Sequence, residues 1–355
     1  MTNVTAPAIS TADDGGKTVD TVLLNDTRID LHHGCTTVIE TIGTLSEANN
    51  MRIIAKSPAH TDWRANAEIT SAIERADLVI VNGEGTIHHD RPAGKKLLEV
   101  GAYAKSKNTK AALINSTWQA NDAESLHALE NFDIITVRER ASHAELTGHG
   151  IDARRIPDLA LYHKPAASAQ RSGVGYCDNV QGQKALELYN RMWALGGEPL
   201  PIVQLPFEPM TTLRWLLRFG ASKSAIFNPF HAVPALRATL QDYREQEPNR
   251  DVTTAQVAAK NLVLTGRFHM LIFCLAARTP MLALSSNTHK NEATLADAGL
   301  EPWRLLENLD TLDTAMLEKA AQWHGNEAAN LDSFLQAGRS AMEMLFTDLA
   351  ALARG

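Results

Sequence analysis

Cysteine is scarce in this chain: Cys35, Cys177 and Cys274 are the three among 355 residues. An odd number, widely spaced and with no C-x-x-C pair, supplies neither a disulfide framework nor a zinc-finger set, and it fits a reducing, cytoplasmic compartment. Long apolar runs are missing as well. The longest, residues 270–277, has eight residues, where a bilayer span needs about 20. There is no basic excess: 34 lysines and arginines against 41 aspartates and glutamates leave a net charge of -7, the wrong sign for a general nucleic-acid binder. Residues 1–18 show no basic n-region and no apolar h-region, so they read as a disordered leader rather than a signal peptide. Several motifs are also absent. His88 stands where G-x-G-x-x-G needs its third glycine, and no G-x-x-x-x-G-K-[ST], G-x-S-x-G or H-E-x-x-H occurs. Dinucleotide, P-loop, serine-hydrolase and zincin readings therefore lack support.

What the chain does have is regular alternation. Apolar runs at 19–26, 51–56, 77–81, 111–117 and 133–138 alternate with helical periodicity at 36–48, 65–75, 95–107, 122–131 and 139–147. The last helix is expected to cap at Gly148 or Gly150. The runs lack polar alternation, which marks strands buried on both faces of a parallel sheet. The small polar stretch 166–173 reads as a linker, and then the grammar repeats. Strands are expected at 172–177, 201–206, 224–228, 261–266 and 280–285, and helices at 183–195, 211–219, 253–259 and 268–277. A helical region follows from 312, broken near 324–325. The expected fold is α/β: a Rossmann-like domain over 19–168 and a second over 169–355 with terminal helices, the two facing a cleft.

Chemistry-bearing residues cluster at the expected strand ends, where α/β sheets place their crevices. In V-I-V-N-G-E-G-T-I-H-H-D (79–90), Gly83 and Gly85 permit a tight turn and close backbone approach, and the following helix start offers free N–H groups. A bare strand-to-helix turn accounts for the same letters. His88-His89 is one histidine pair and His32-His33 another. Adjacent residues point in different directions, so a metal would need ligands from elsewhere, and a hydrogen-bonding or acid–base role is the reading preferred. T-G-R-F-H-M (265–270) sets Arg267, a planar fork for phosphate or carboxylate, two residues before His269 at a helix start. An ordinary surface arginine and a half-buried histidine are the plain reading. S-S-N-T-H-K-N-E-A (285–293) offers Ser285 and Lys290 to a second anion, or is a polar loop opening a helix. Arg138 and Asp158 stand at strand ends, where either can belong to a structural ion pair. Residues 213–223 read equally as a core-facing helix and as a peripheral membrane contact.

Taken in order, four segments resemble the polysaccharide pyruvyl transferase family: N-G-E-G-T-I-H-H-D (82–90), I-T-V-R-E-R-A-S-H-A-E-L (135–146), G-I-D-A-R-R-I-P-D-L-A-L (150–161) and L-T-G-R-F-H-M-L-I-F-C-L-A-A-R-T-P-M-L-A-L (264–284), the last followed by Lys290. The resemblance spans about residues 20–300. It implies a GT-B-like pair of Rossmann domains with no required metal and no cofactor, phosphoenolpyruvate being a co-substrate. Its enolpyruvyl unit would pass to two hydroxyls of a sugar, forming a ketal. By motif, Arg267, His269 and Arg138 fall at the donor site, with Lys290 and Ser285 as further donor contacts. Gly83, Gly85, Thr86, His88, His89 and His33 fall on the acceptor side. A histidine suits protonation of the enol carbon near neutral pH, arginines suit the charge that develops as phosphate leaves, and Asp158, Glu84 or a paired histidine would take the sugar proton. The implied acceptor is a sugar or lipid-linked oligosaccharide. That brings the expectation of a cytoplasmic protein at the inner face of a membrane, a homo-oligomer, with no nucleic-acid partner. Glu84 stands where many members have a further glycine, and N-D-T-R-I-D-L-H-H-G-C replaces the family's N-x-G-D start. The alternative is a glycosyltransferase using a nucleotide-activated, CMP-linked acidic sugar, with Glu84 or Asp158 as nucleophile or base.

Overall fold

Strands form where unbroken apolar runs bury both faces, and helices lie between them. The computed structural model describes residues 17–168, 170–203 and 250–355, and elements are numbered over these. In the first half they are β1 (Val19–Asp26), α1 (His33–Ala48), β2 (Met51–Pro58), α2 (Ala67–Arg75), β3 (Leu78–Glu84), α3 (Pro92–Ser106), β4 (Lys110–Ser116), α4 (Ala123–Leu129), β5 (Ile134–Val137), α5 (Arg140–Gly148) and β6 (Arg154–Arg155). The second half has β7 (Val174–Asn179), α6 (Gly182–Ala194), β8 (Glu198–Pro199), α7 (Arg250–Ala258), β9 (Leu262–Gly266), α8 (Phe268–Ala276), β10 (Met281–Leu284), α9 (Lys290–Asp297), β11 (Leu305–Leu306), α10 (Thr314–Ala320) and α11 (Glu327–Arg354).

The first sheet runs β2-β1-β3-β4-β5-β6 and the second β8-β7-β9-β10-β11, with every pairing parallel. Counted from its own first strand, each sheet follows the doubly-wound order 2-1-3-4-5. Such sheets bind ligands outside the strands' carboxyl ends where the order reverses, here between β1 and β3 and between β7 and β9. This is the α/β, two-Rossmann-like, GT-B-like fold expected from the sequence.

Local chemistry sets the ends of the elements. At the end of α5, Gly150 adopts φ 76, its amide donates to Thr147 O, and the Ile151 amide donates to Leu146 O. That is the Schellman cap anticipated for this glycine. Pro92 opens α3, where its missing N–H costs nothing. Three asparagines lace the first sheet's carboxyl edge. Asn25 Nδ2 donates to Asn82 O at 2.6 Å, Asn115 Nδ2 to Asn82 Oδ1 at 3.4 Å, and Leu159 N to Asn115 Oδ1 at 3.1 Å. Asn25 and Asn115 have φ of 64 and 56, and Glu84 has 38. Asparagine tolerates that region well and glutamate less so.

Of the strand expected at 201–206, residues 204–206 lie outside the described residues. Within 201–203, Val203 forms an isolated bridge to His32 and Ile202 O accepts from the His33 amide at 2.9 Å; the edge strand among the described residues is β8, just before them. The expected helix 211–219, the strand 224–228 and the membrane-contact stretch 213–223 lie outside the described residues, as does most of the leader. No helix among the described residues is long and apolar enough to cross a membrane.

Helix α11 leaves the second half and returns to the first. Leu331, Leu335, Met342, Leu345, Phe346 and Leu349 form a buried stripe at helical spacing that joins Val19, Leu23, Val38 and Ile42 in one core. Each such side chain contributes about 1.5–3 kcal/mol when fully buried. Asp297, on α9, clamps the halves by accepting from Arg140 Nε at 2.6 Å and Arg155 Nη1 at 2.8 Å.

Candidate active site

The carboxyl ends of the two sheets deliver charged residues to one crevice. β5 ends at Arg138, whose Nη1 donates to Asp158 Oδ2 at 2.8 Å. Its Nη2 and Nε donate to Thr117 Oγ1 at 2.6 and 3.2 Å. Asp158 Oδ1 also caps the short helical turn Leu159–Tyr162 through the Ala160 amide at 2.9 Å. From the second half, β9 runs into Arg267, which caps α8 as its preceding residue. His269 is the second residue of that helix, within its first turn. The α8 start packs its Phe268 ring 4.5 Å beneath the Arg138 guanidinium, and Lys290 Nζ sits 5.9 Å from the same ring.

The electrostatics of this crevice favour an anion. Lys290 is buried and donates to Asn287 Oδ1 at 2.7 Å. Burial, with Arg138, Arg91 and Arg267 nearby, pushes its ammonium down to about 7. A lysine so destabilised as a cation gains from any anion that enters. His269 is likewise held well below the ordinary histidine range by burial and by Arg138 and Lys290. Its Nε2 has no hydrogen-bond partner and lies 3.8 Å from Asp158 Oδ2, beyond hydrogen-bond reach. His32 caps α1 by accepting from the Gly34 amide at 3.1 Å, and its ring centroid stands 5.1 Å from that of His269.

Some residues expected from the sequence meet in this crevice. Arg138, Asp158, His269 and Lys290 do, and Gly85 faces Lys290, whose Nζ would be 3.9 Å from a β-carbon placed there. His88 lies near the same lysine. Burial, then Arg91 and His89, push His88 down to about 4, so it is neutral at pH 7, with its Nδ1 against His89 Nδ1 at 2.7 Å.

Other expected residues are engaged elsewhere. Arg267 was read as a free fork, but its Nε and Nη2 both bind Asp178 at 2.6 Å. Burial works against that charge, and Asp178 more than restores it, raising the guanidinium above its ordinary value. Glu84 is tied into the first half's interior: Oε1 accepts from Thr27 Oγ1 at 2.7 Å and Asn82 Nδ2 at 2.9 Å, and Oε2 from the Cys35 thiol at 3.4 Å. Burial pushes its carboxyl upward despite the Thr27 and Asn82 bonds. Gly83 is required by packing, since a β-carbon would meet Ser116 Cβ at 2.5 Å. Thr86 Oγ1 accepts from Asn25, and Ser285 Oγ accepts from Lys184. His33 is corrected: it turns inward with its Nε2 unpartnered, and His32 is the member of that pair beside His269. Successive residues at a helix start diverge, so one of the two had to leave the crevice.

Sequence reasoning missed Asp178, Phe268, Asn287 and Gly34. A β-carbon at Gly34 would collide with the His269 ring, so the letters H-H-G-C carried a signal: a glycine just inside a helix, where glycine is otherwise costly, marks a close approach.

Residues 18–288 match the family model for polysaccharide pyruvyl transferase. No curated protein matches the chain. Among solved structures, the UDP-GlcNAc 2-epimerase of Methanocaldococcus jannaschii in complex with UDP-GlcNAc and UDP shares 12% identity over 92% of this chain and 99% of that one, with a TM-score of 0.48. A putative UDP-N-acetylglucosamine 2-epimerase from Listeria monocytogenes shares 12% over 92% and 98%, with a TM-score of 0.47. A UDP-forming α,α-trehalose-phosphate synthase from Burkholderia vietnamiensis shares 10% over 94% and 97%, with a TM-score of 0.44. Likeness this distant carries no argument about the site.

Proposed function

The chain belongs to the polysaccharide pyruvyl transferase family, and from that premise we propose that it transfers the enolpyruvyl unit of phosphoenolpyruvate to a sugar of a polysaccharide precursor. The observation that supports this donor is the pair of buried cations beside an unpartnered histidine: Arg138 and Lys290 near His269, whose Nε2 has no partner. A small donor carrying both phosphate and carboxylate would offset those charges, and fixed cations would stabilise the phosphate as it leaves with its bridging oxygen, the bond from that oxygen to the former enol carbon breaking.

In this reading His269 supplies the proton to the donor's methylene carbon. Burial, with Arg138 and Lys290 beside it, keeps the imidazole neutral in the free protein. A bound multiply charged anion reverses the local field and raises proton affinity where the proton is required. Protonation leaves an oxocarbenium-like carbon. One sugar hydroxyl attacks it, phosphate departs, and a second hydroxyl closes the ketal, each hydroxyl losing its proton. Asp158, 3.8 Å from His269 Nε2, orients the ring or accepts a proton. A cavity of about 170 Å³ beside the β1/β3 crossover, lined by Asn25, Ser57, Thr61, Asp62, Thr86 and Lys96, is the proposed place for the sugar.

The deciding experiment is a thermal-shift comparison of phosphoenolpyruvate, CMP and UDP, because a ligand that binds only the folded state raises the melting temperature. Phosphoenolpyruvate is expected to stabilise the protein. Stabilisation by CMP or UDP with none by phosphoenolpyruvate overturns the donor assignment in favour of a nucleotide sugar.

A further inference from the structure

One cluster beside the crevice is not explained by pyruvyl transfer. A ligand atom from each of His32, Cys35 and His269 lies within 4.8 Å of the other two. The residues come from two elements of different halves, the start of α1 and the start of α8. We propose that these three side chains form a site for one thiophilic divalent transition-metal ion, with zinc(II) as the best match, bridging the two halves.

The donor set matches the chemistry of such an ion. Zinc takes thiolate sulfur at about 2.3 Å and imidazole nitrogen at about 2.0–2.1 Å in a tetrahedron, which puts neighbouring ligand atoms roughly 3.3–3.7 Å apart. Side-chain movements of about 1 Å close the set from its present spacing. One thiolate and two imidazoles select a borderline-soft ion over magnesium or calcium, which want oxygen. His269 is 8% exposed and Cys35 7%, and His269 Nε2 has no partner, an arrangement that leaves a buried polar nitrogen unsatisfied. His32 Nδ1 already acts as an acceptor toward the Gly34 amide at 3.1 Å, so it presents a lone pair that coordination would take over.

The immediate surroundings complete the case. The Cys35 thiol donates to Glu84 Oε2 at 3.4 Å, which gives the proton displaced on metal binding a carboxylate to go to. Gly34 makes the geometry accessible: any side chain there would strike the His269 ring. Adjacent histidines do diverge, as the sequence indicated. His32 finds its co-ligands on other elements instead of in His33. Occupation by metal ties up His269 Nε2, so metal loading and proton transfer by His269 exclude each other.

The test uses the full chain and no donor, so it stands or falls independently of the pyruvyl-transfer reading. Cobalt(II) added to the metal-free protein is expected to give a sulfur-to-cobalt charge-transfer band that saturates at one equivalent and is displaced by zinc(II). The band should vanish in Cys35→Ser, persist in Cys177→Ser and Cys274→Ser, and need at least about tenfold more cobalt in His32→Ala. In the wild-type protein, zinc(II) should protect Cys35 from alkylation, read by peptide mass spectrometry; this arm holds even if Cys35→Ser fails to fold. Absence of the band at one equivalent, a band that survives in Cys35→Ser, or alkylation of Cys35 unchanged by zinc(II) overturns the proposal.

Discussion

Among the described residues, two arginine–carboxylate pairs are almost wholly buried, and they differ in how complete their surroundings are. In Arg304–Glu327 the side chains are 0% and 1% exposed, and in Arg138–Asp158 1% and 0%. Arg304 places all five of its donors: on Glu327 Oε1 and Oε2 at 2.6 and 2.7 Å, and on the carbonyls of Met281, Ala320 and Gln322. Trp303 and Trp323 lie 4.7 and 4.8 Å from its guanidinium carbon. Arg138 makes three hydrogen bonds, to Asp158 and Thr117, and its neighbours His269 and Lys290 are buried without a carboxylate bound to them. The same pairing chemistry thus serves two ends. Closed on all sides, it fastens β10 to the start of α11. Left incomplete beside other titratable groups, it sets a field into which a ligand fits.

The contrast breaks first, and most visibly, at its structural member. Arg304→Ala strands Glu327 and is expected to cost roughly 3–5 kcal/mol, read by chemical denaturation, while the folded fraction keeps its donor affinity. Arg138→Ala strands Asp158 in the same way but also relieves Lys290, so it is expected to lose less stability, and to lower turnover by about 10²-fold or more. An Arg138 variant as unstable as the Arg304 variant and still active would erase the distinction.

Next in size is His269→Asn, expected to slow transfer by about 10²–10⁴-fold with the donor-induced thermal shift retained. Loss of that shift together with activity would make His269 a binding residue instead. Lys290 gives a pH signature. Its ammonium titrates at about 7 in the folded protein against an ordinary value of 10.5, so across that window the unfolded chain holds more protons and stability rises with pH. Lys290→Met should remove this slope and stabilise the ligand-free protein below about pH 7. Donor affinity in the wild type requires the cation and should weaken as pH rises past about 7. An affinity flat between about pH 6 and 8 would remove Lys290 from the donor site. The smallest effect is expected at Arg140→Ala, a half-exposed partner of Asp297, which should shift stability by about 1 kcal/mol or less.

How far the sequence could be read follows from the range of each force. β3, β4 and β9 were legible because burial on both faces leaves a run of three or more consecutive apolar residues, and the α5 terminus because Gly150 is the local answer to a left-handed residue. The site was legible as a set of strand ends, since topology alone gathers them. What could not be read were partners made across the fold: Asp178 claiming Arg267, Asp158 claiming Arg138, and Cys35 with Thr27 claiming Glu84. These depend on side chains 89, 20 and 57 positions apart for Arg267, Arg138 and Thr27, and no local pattern encodes them.

Helix α11 has a consequence for the order in which the protein comes into being. Thr347 on that helix bonds Asn49, 298 residues earlier, and its apolar stripe finishes the core begun by β1 and α1. At a ribosomal pace of about 5–20 residues per second, the first half waits roughly 15–60 s for the helix that covers it. During that interval its parallel sheet is built but one apolar face is open to water, which makes the nascent first half a natural client for chaperones, with closure of both halves a single late event.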